Sequence, residues 1–434
     1  MNPNPNKFKN IIIGVFIFFI IIGLIAFSTY KSKSTNTNTV IVQIWGTVDK
    51  NIFDSYVTKY KQDKSVDFSL SYSYVSLDTI DSKLVEAIAT GKAPDIILIP
   101  NSLEKRYLDK VYMIPFTSLP QRTFTDTFVP EAQLYEQSNG YFGIPFFVDP
   151  LVMYWNRDMF ANAAIAIPPK KWSEFPMLAS KLSQSNSKAD ISQSAVSFGE
   201  FANIDNAKAL ISTLIMQAGS PIVSEDINGK LYSNLDSKSA NDIMVPAVSA
   251  LQFYTDYSNP QKPVYSWNRS LPSSKLFFLS ENLATYFGFS SEYQDIKTKN
   301  PNLNFDLTYM PQIVDAKVFT TYGDLYGFSI LKSSQNILAA YNLILTLINS
   351  DSISTLVQVY GVAPARRDII AAGTTNAVQT IVFNSSLISK GWMDPDSSKT
   401  DQIFQNMIEN ISTGKLEITD AVTKASNEID SLFK

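Results

Sequence analysis

Cysteine and histidine are both absent from the 434 residues. Without cysteine there is no disulfide, no thiolate zinc site and no cysteine nucleophile, although the redox compartment stays open. Without histidine the commonest metal ligand and the commonest general base are missing, which weighs against an enzyme. The phosphate-cradling patterns G-x-x-x-x-G-K-[ST] and G-x-G-x-x-G do not occur, nor does a D-x-[DN]-x-[DN]-G calcium loop. No cofactor and no metal site is therefore expected. Ser-x-x-Lys occurs at Ser185/Lys188 and Ser412/Lys415, both in polar surroundings where abundant serine produces the pattern by chance. Glu225 and Asp226 stand beside Asn228-Gly229, which reads as a turn between strands rather than an acid/base pair. Basic runs are also missing. The net charge is −4, and the first 39 residues carry lysines but no acids, so the remaining body is more acidic than the whole. That balance speaks against nucleic acid as a partner.

What is present describes a folded chain: 45% hydrophobic and 18% charged residues, long enough for two or three units. Ile11 to Phe27, IIIGVFIFFIIIGLIAF, carries no charge. Extended to Tyr30 it would span about 30 Å as a helix, enough to cross a bilayer. Lys7 and Lys9 precede it and favour an N-terminus inside with the body outside, while Lys31 and Lys33 follow. A buried core helix, or a signal peptide cleaved near Ala26-Phe27-Ser28, are the alternatives. The reading taken is an uncleaved signal anchor over residues 1–30. Lys31 to Thr39, KSKSTNTNT, is polar and low in complexity, so it reads as a tether over 31–39.

From Val40 the pattern changes. Val40 to Trp45 is a short apolar strand, and Ile52, Phe53, Tyr56, Val57 and Tyr60 recur at helical spacing. Val66 to Tyr74 alternates with period two, Leu77 to Thr90 has a helical apolar face ending at Gly91, and Asp95 to Ile99 is a buried strand. Strand and helix alternating in this way predict βαβ units and a parallel sheet with ligands at the carboxyl ends of its strands, near Trp45-Gly46 and Pro100-Asn101-Ser102. Further helices are predicted from Ser173 as N-cap through Leu182, and over 207–218, 241–257, 337–348, 401–411 and 419–433.

Three stretches gather aromatic rings around isolated polar groups: Tyr141 to Phe160 (YFGIPFFVDPLVMYWNRDMF), Ala284 to Tyr293 (ATYFGFSSEY) and Thr320 to Phe328 (TTYGDLYGF). Flat rings stack on sugar faces while carboxylates and amides take hydroxyls, a combination suited to a small-molecule pocket. The competing reading places each ring in the core.

With these residues in view, the chain resembles the extracellular solute-binding proteins of ATP-binding-cassette sugar importers, the maltose-binding-like group (family 1 solute-binding proteins). The resemblance rests on Tyr141-Phe142-Gly143-Ile144-Pro145, Tyr154-Trp155-Asn156-Arg157-Asp158, Ile167 to Glu174 (IPPKKWSE), Glu281-Asn282-Leu283-Ala284, Met310-Pro311 and Gly361 to Asp368 (GVAPARRD). Departures are Phe142 inside the usual Tyr-Gly pair, Lys171 for the usual Thr, no lipid-bearing Cys, and no acidic residues beside Trp45.

This resemblance implies an α/β, two-lobed periplasmic-binding-protein-like fold (type II) with lobes joined by hinge strands. Lobe 1 would take 40–148 plus about 311–350; lobe 2 would take about 149–310 plus 351–434. Asp149 would be the cleft carboxylate on the first crossover. Trp45, Asn101, Phe201, Phe289 and Tyr326 fall where the family places ligand-lining side chains, with Glu200 and Asn203 nearby. Within YFGIPFFVDPLVMYWNRDMF, Pro145 and Pro150 would bracket the hinge and Leu151 to Trp155 would be core, which leaves Phe147 and Asp149 as the functional residues. The implied function is capture of a small carbohydrate by a monomer held at the cell membrane, non-enzymatic, with delivery to the permease subunits of an ABC importer. A carboxylate-only extracellular glycan hydrolase or lyase, and a ligand sensor in a signalling complex, are the rival readings.

Overall fold

Strand and helix alternate at the start of the body, as the apolar periodicity predicts. The computed structural model describes residues 40–65, 68–185, 190–238 and 244–434, with only the backbone at position 104. The proposed anchor and tether, the first residues of the strand placed at 66–74, Lys188 and the start of the helix placed at 241–257 lie outside the described residues. Strand β1 (Val42–Gly46), helix α1 (Lys50–Lys64), strand β2 (Leu70–Tyr74), helix α2 (Ile80–Ala89) and strand β3 (Ile96–Pro100) follow in order, and β1 pairs parallel with both β2 and β3. Asp49 caps α1 by accepting from the Asn51 and Ile52 amides. Gly91, just past α2, adopts φ +67°, the left-handed conformation its position predicts. Helix α3 (Asn101–Tyr107) begins directly at the end of β3.

Strand β4 (Ile144–Asn156) carries the chain from one core to the other. Its thirteen residues are almost continuously buried, as a strand packed on both faces requires. Strand β5 (Ile191–Val196), helix α4 (Ala207–Ala218), strand β6 (Leu283–Phe289), helix α5 (Glu292–Lys299) and strand β7 (Thr321–Ile330) complete the central framework. The main sheet runs β2-β1-β3-β7-β4-β6-β5, then Gln184–Ser185, and the short strands Phe305–Thr308 and Ala363–Pro364 also pair with β4. Residues 144–150 of β4 pair with β7, and Leu151–Trp155 pair with β6. The exchange of partners falls at Pro150, which has no amide hydrogen to give a ladder; its carbonyl accepts from the Ser290 amide at 3.0 Å.

Two hydrophobic cores result. One gathers residues from Val42 to Val148, Leu325 to Ile348 and Ile353 to Phe383. The other gathers Leu151 to Met310, Tyr322 and Trp392 to Ile429. The border therefore cuts β4 between Val148 and Leu151, and β7 between Tyr322 and Leu325. This partition differs from the expected one in its C-terminal part, since residues 353–383 pack in the first core rather than the second. The reason is the apolar face Ile353, Leu356 and Val357 of the helix Ser350–Tyr360, which lies against α1. Tyr56 of α1 hydrogen-bonds there to the Leu347 carbonyl at 3.1 Å and to the Ser352 hydroxyl.

Smaller expectations also resolve. Ser173 is not an N-cap: Trp172–Glu174 form a single 3-10 turn before the helix Phe175–Leu182, and Glu174 instead accepts from the Lys170 and Lys171 amides. Asp226 does close a turn, accepting from the amides of Asn228 and Lys230 between strands Val223–Glu225 and Leu231–Ser233. The chain ends in helices α6 (Ser397–Ser412) and α7 (Ile418–Ser431). Among the described residues no single helix is long and apolar enough to cross a membrane.

Candidate functional site

A cleft of about 700 Å³ opens between the two cores, at the carboxyl ends of the parallel strands. From the first core Asp78, Pro100 and Ser102 line it; from the second, Phe201, Asn206, Lys208 and Phe289 do; Tyr322 and Asp324 of β7 form its floor. Ser397, Asp401 and Gln405, four residues apart on α6, close one side.

Both crossing strands place a carboxylate where they leave one core for the other. Asp149 of β4 stands directly opposite Asp324 of β7 in the antiparallel register, so the two side chains share a face. Asp149 is 6% exposed and accepts the Ser290 hydroxyl at 2.8 Å and the Ser291 amide at 3.0 Å. Asp324 accepts the Tyr322 hydroxyl at 3.2 Å. Burial pushes the Asp149 carboxyl up to about 6 against the pull of its serine donors. Burial, then the neighbouring Asp149 charge, pushes Asp324 up to about 7. Near neutral pH the pair therefore retains part of a proton and offers both a donor and acceptors to a bound molecule. Lys208 offsets the Asp324 charge only in part, because its ammonium is held by Asp394 at 3.1 Å, by Ser397 and by Thr400. Against this polar floor stand two rings, Phe201 and Phe289, the latter edge-on to Tyr322 with centroids 6.2 Å apart.

The structure distributes the residues expected at the site over three situations. Phe201 and Phe289 line the cleft; Asp149 does not itself line it but stands directly opposite the cleft-lining Asp324. Trp45, Asn101 and Tyr326 do not line it, although Tyr326 pairs with cleft-lining Pro100. Trp45 is half-buried at the end of β1, and Asn101, between cleft-lining Pro100 and Ser102, accepts the Leu325 amide at 3.0 Å. Tyr326 stacks on Phe147 at 4.5 Å and 15°. Phe147, Glu200 and Asn203 do not line the cleft. Phe147 has no exposed surface and packs between Phe146, Tyr326 and Tyr360, so it presents nothing to a ligand here. Glu200 is buried and paired with Arg269 at 3.0 Å. Asn203 spends its amide on the Asn268 and Leu271 carbonyls and its oxygen on the Trp267 indole, bracing a loop of the second core.

Asp324, Asn206 and Lys208 are cleft residues that the sequence reading did not select. Asp324 sits two positions before Tyr326 in a stretch already marked as ring-rich, and period two alone would have put it on the same face. Asn206 has no such signal: it adopts φ +59° and donates to Glu292 at 2.8 Å and to the Tyr286 hydroxyl at 3.2 Å.

Solved structures share this architecture. An ABC transporter solute-binding protein from Thermotoga lettingae TMO, bound with α-D-tagatose, is similar at TM-score 0.67 and 19% identity, over 91% of this chain and 99% of that one. A cyclo/maltodextrin-binding protein complexed with maltotetraose is similar at TM-score 0.70 and 14% identity, over 90% and 96%. The GacH receptor of Streptomyces glaucescens GLA.O, determined unliganded and with acarbose and an acarbose homolog, is similar at TM-score 0.69 and 13% identity, over 91% and 98%. At such identities the likeness concerns the fold. No curated protein matches the chain by sequence. A sequence profile described as bacterial extracellular solute-binding protein matches residues 55–380, most of the body. The chain belongs to the bacterial extracellular solute-binding protein family.

Proposed function

We propose that this chain captures a small carbohydrate in the cleft and presents it to the permease subunits of an ABC importer, as a monomer held to the extracytoplasmic face of the membrane by residues 11–27. The observation that carries the reading is a carboxyl pair at the cleft: Asp324, which lines it together with Phe201 and Phe289, and Asp149, directly opposite on the other crossing strand. Hydroxyls of a sugar bond to the carboxyl pair while its apolar face rests on a ring. Since residues from both cores line the same space, a ligand that touches both favours a closed arrangement by the difference in its contacts. The sugars bound by the structural relatives support this class of ligand.

A hydrolase or lyase is the second reading, favoured by the same pair, because opposed carboxyls of raised pKa also suit general acid/base work. A thermal-shift screen of the full chain against sugars, polyols and glycans, with products followed by mass spectrometry, separates the two. A binder gains RT ln(1 + [L]/Kd) and leaves the sugar intact. Turnover of any glycan would overturn the binding reading; the absence of any shift with carbohydrates would overturn the ligand class.

A further inference from the structure

The hinge has a second cavity, away from the cleft floor, of about 630 Å³. It is lined from the first core by Glu131 and Leu134 of the 3-10 helix Pro130–Tyr135, and by Val318 and Phe319 on the return towards β7. Ile388 and Gly391, around the short strand Ser389–Lys390 that pairs with β7, complete it. Rim charges cancel: Lys105 and Lys390 stand against Glu136 and Glu225. The inner carboxyl has no such partner. Glu131 is 4% exposed, and neither of its carboxylate oxygens accepts a hydrogen bond among the described residues. Asn101 Nδ2, which also lies against Gly391, donates none either.

Two glycines make room for this carboxylate. A Cβ on Gly323 would lie 3.0 Å from Glu131 Oε2 and 2.8 Å from the Ser389 side chain. A Cβ on Gly391 would lie 3.1 Å from Glu131 Oε1 and collide with Asn101 Nδ2. Because strand residues alternate in direction, Glu131 approaches β7 at Gly323 from the face opposite Asp324. Burial, then the Asp324 charge, pushes the Glu131 carboxyl well above the ordinary range, and the nearby Gly391 amide, which makes no well-formed hydrogen bond to it, pulls the other way. A buried acceptor with no donor is costly, and a bound donor removes the cost.

We propose that this rear cavity is a second ligand site, which takes a small organic cation: a primary ammonium head against Glu131 and an apolar body along Leu134, Val318, Phe319 and Ile388. The ammonium supplies the missing donors and the counter-charge, and Phe319 and Val318, 51% and 65% exposed, cover the apolar part as it enters. The site is independent of which solute fills the cleft.

The test uses the full chain and butylammonium chloride, followed through the methyl signals of Leu134, Val318 and Ile388, with butanol as the uncharged control. The expected result is a saturable shift of these signals with butylammonium, at least about tenfold weaker with butanol and at least about tenfold weaker in Glu131→Gln, the loss of one charge-assisted bond. Phe319→Ala, at the exposed rim, supplies a variant that does not depend on the buried position and is expected to weaken binding severalfold. No saturable shift, equal binding of butanol, or unchanged binding in either variant overturns the proposal. None of these outcomes bears on carbohydrate binding in the cleft, which stands or falls separately.

Discussion

Asp149 and Asp324 illustrate how far single residues can be read. Asp149 stands out in the sequence because a lone carboxylate in a ring-rich apolar run asks for a reason. Asp324 was not, because the ring-rich stretch around it drew attention to Tyr326, and only the antiparallel register brings 324 opposite 149. Phe147 shows the converse failure. It stands two residues before Asp149 and so on the same face of β4, but Tyr326 stacked on it and Tyr360 edge-on to it leave it no exposed surface. In the proposed site, Asp149→Asn removes a charge-assisted acceptor and should weaken carbohydrate binding by about tenfold or more, measured by calorimetry. The raised carboxyls also make stability depend on pH. Each binds its proton more strongly when folded than when unfolded, so their contribution is fullest below about pH 4 and is lost as pH rises through about 6 and 7. Asp324→Asn should therefore raise the melting temperature of the unliganded chain at pH 8 and change it little at pH 4. An equal shift at both pH values would contradict the assignment of the raised pKa to this group.

At the scale of elements, the opening βαβ units and the amphipathic helices follow from local apolar period, and their ends from Gly91 and similar caps. The affiliation of the helix Ser350–Tyr360 did not follow, because its partner surface on α1 lies almost three hundred residues earlier in the chain and no local pattern points there. Tyr56→Phe tests that packing. It leaves the Leu347 carbonyl and Ser352 hydroxyl without their buried donor, at a cost of about 1–2 kcal/mol in a denaturant titration. Hydrogen exchange should then quicken together in α1 and in residues 350–360. Exchange that quickens in α1 alone would contradict a shared core.

For the whole molecule, the position of the site is a consequence of chain crossing. Two strands leave one core and enter the other within three residues of Asp149 and Asp324, so any relative movement of the cores acts on the groups that hold the ligand. A sequence pattern could suggest two lobes and a crossover, but not which residues from distant segments share the floor, since that is fixed by register. The most direct test is a calorimetric titration of the full chain, wild type and Asp149→Asn, at pH 8 with the carbohydrate that gives the largest thermal shift. One-to-one saturable binding in the wild type, at least about tenfold weaker in the variant, is the predicted result. Equal affinity in the two proteins, or no saturable binding of any carbohydrate, would contradict a cleft built around this carboxyl pair.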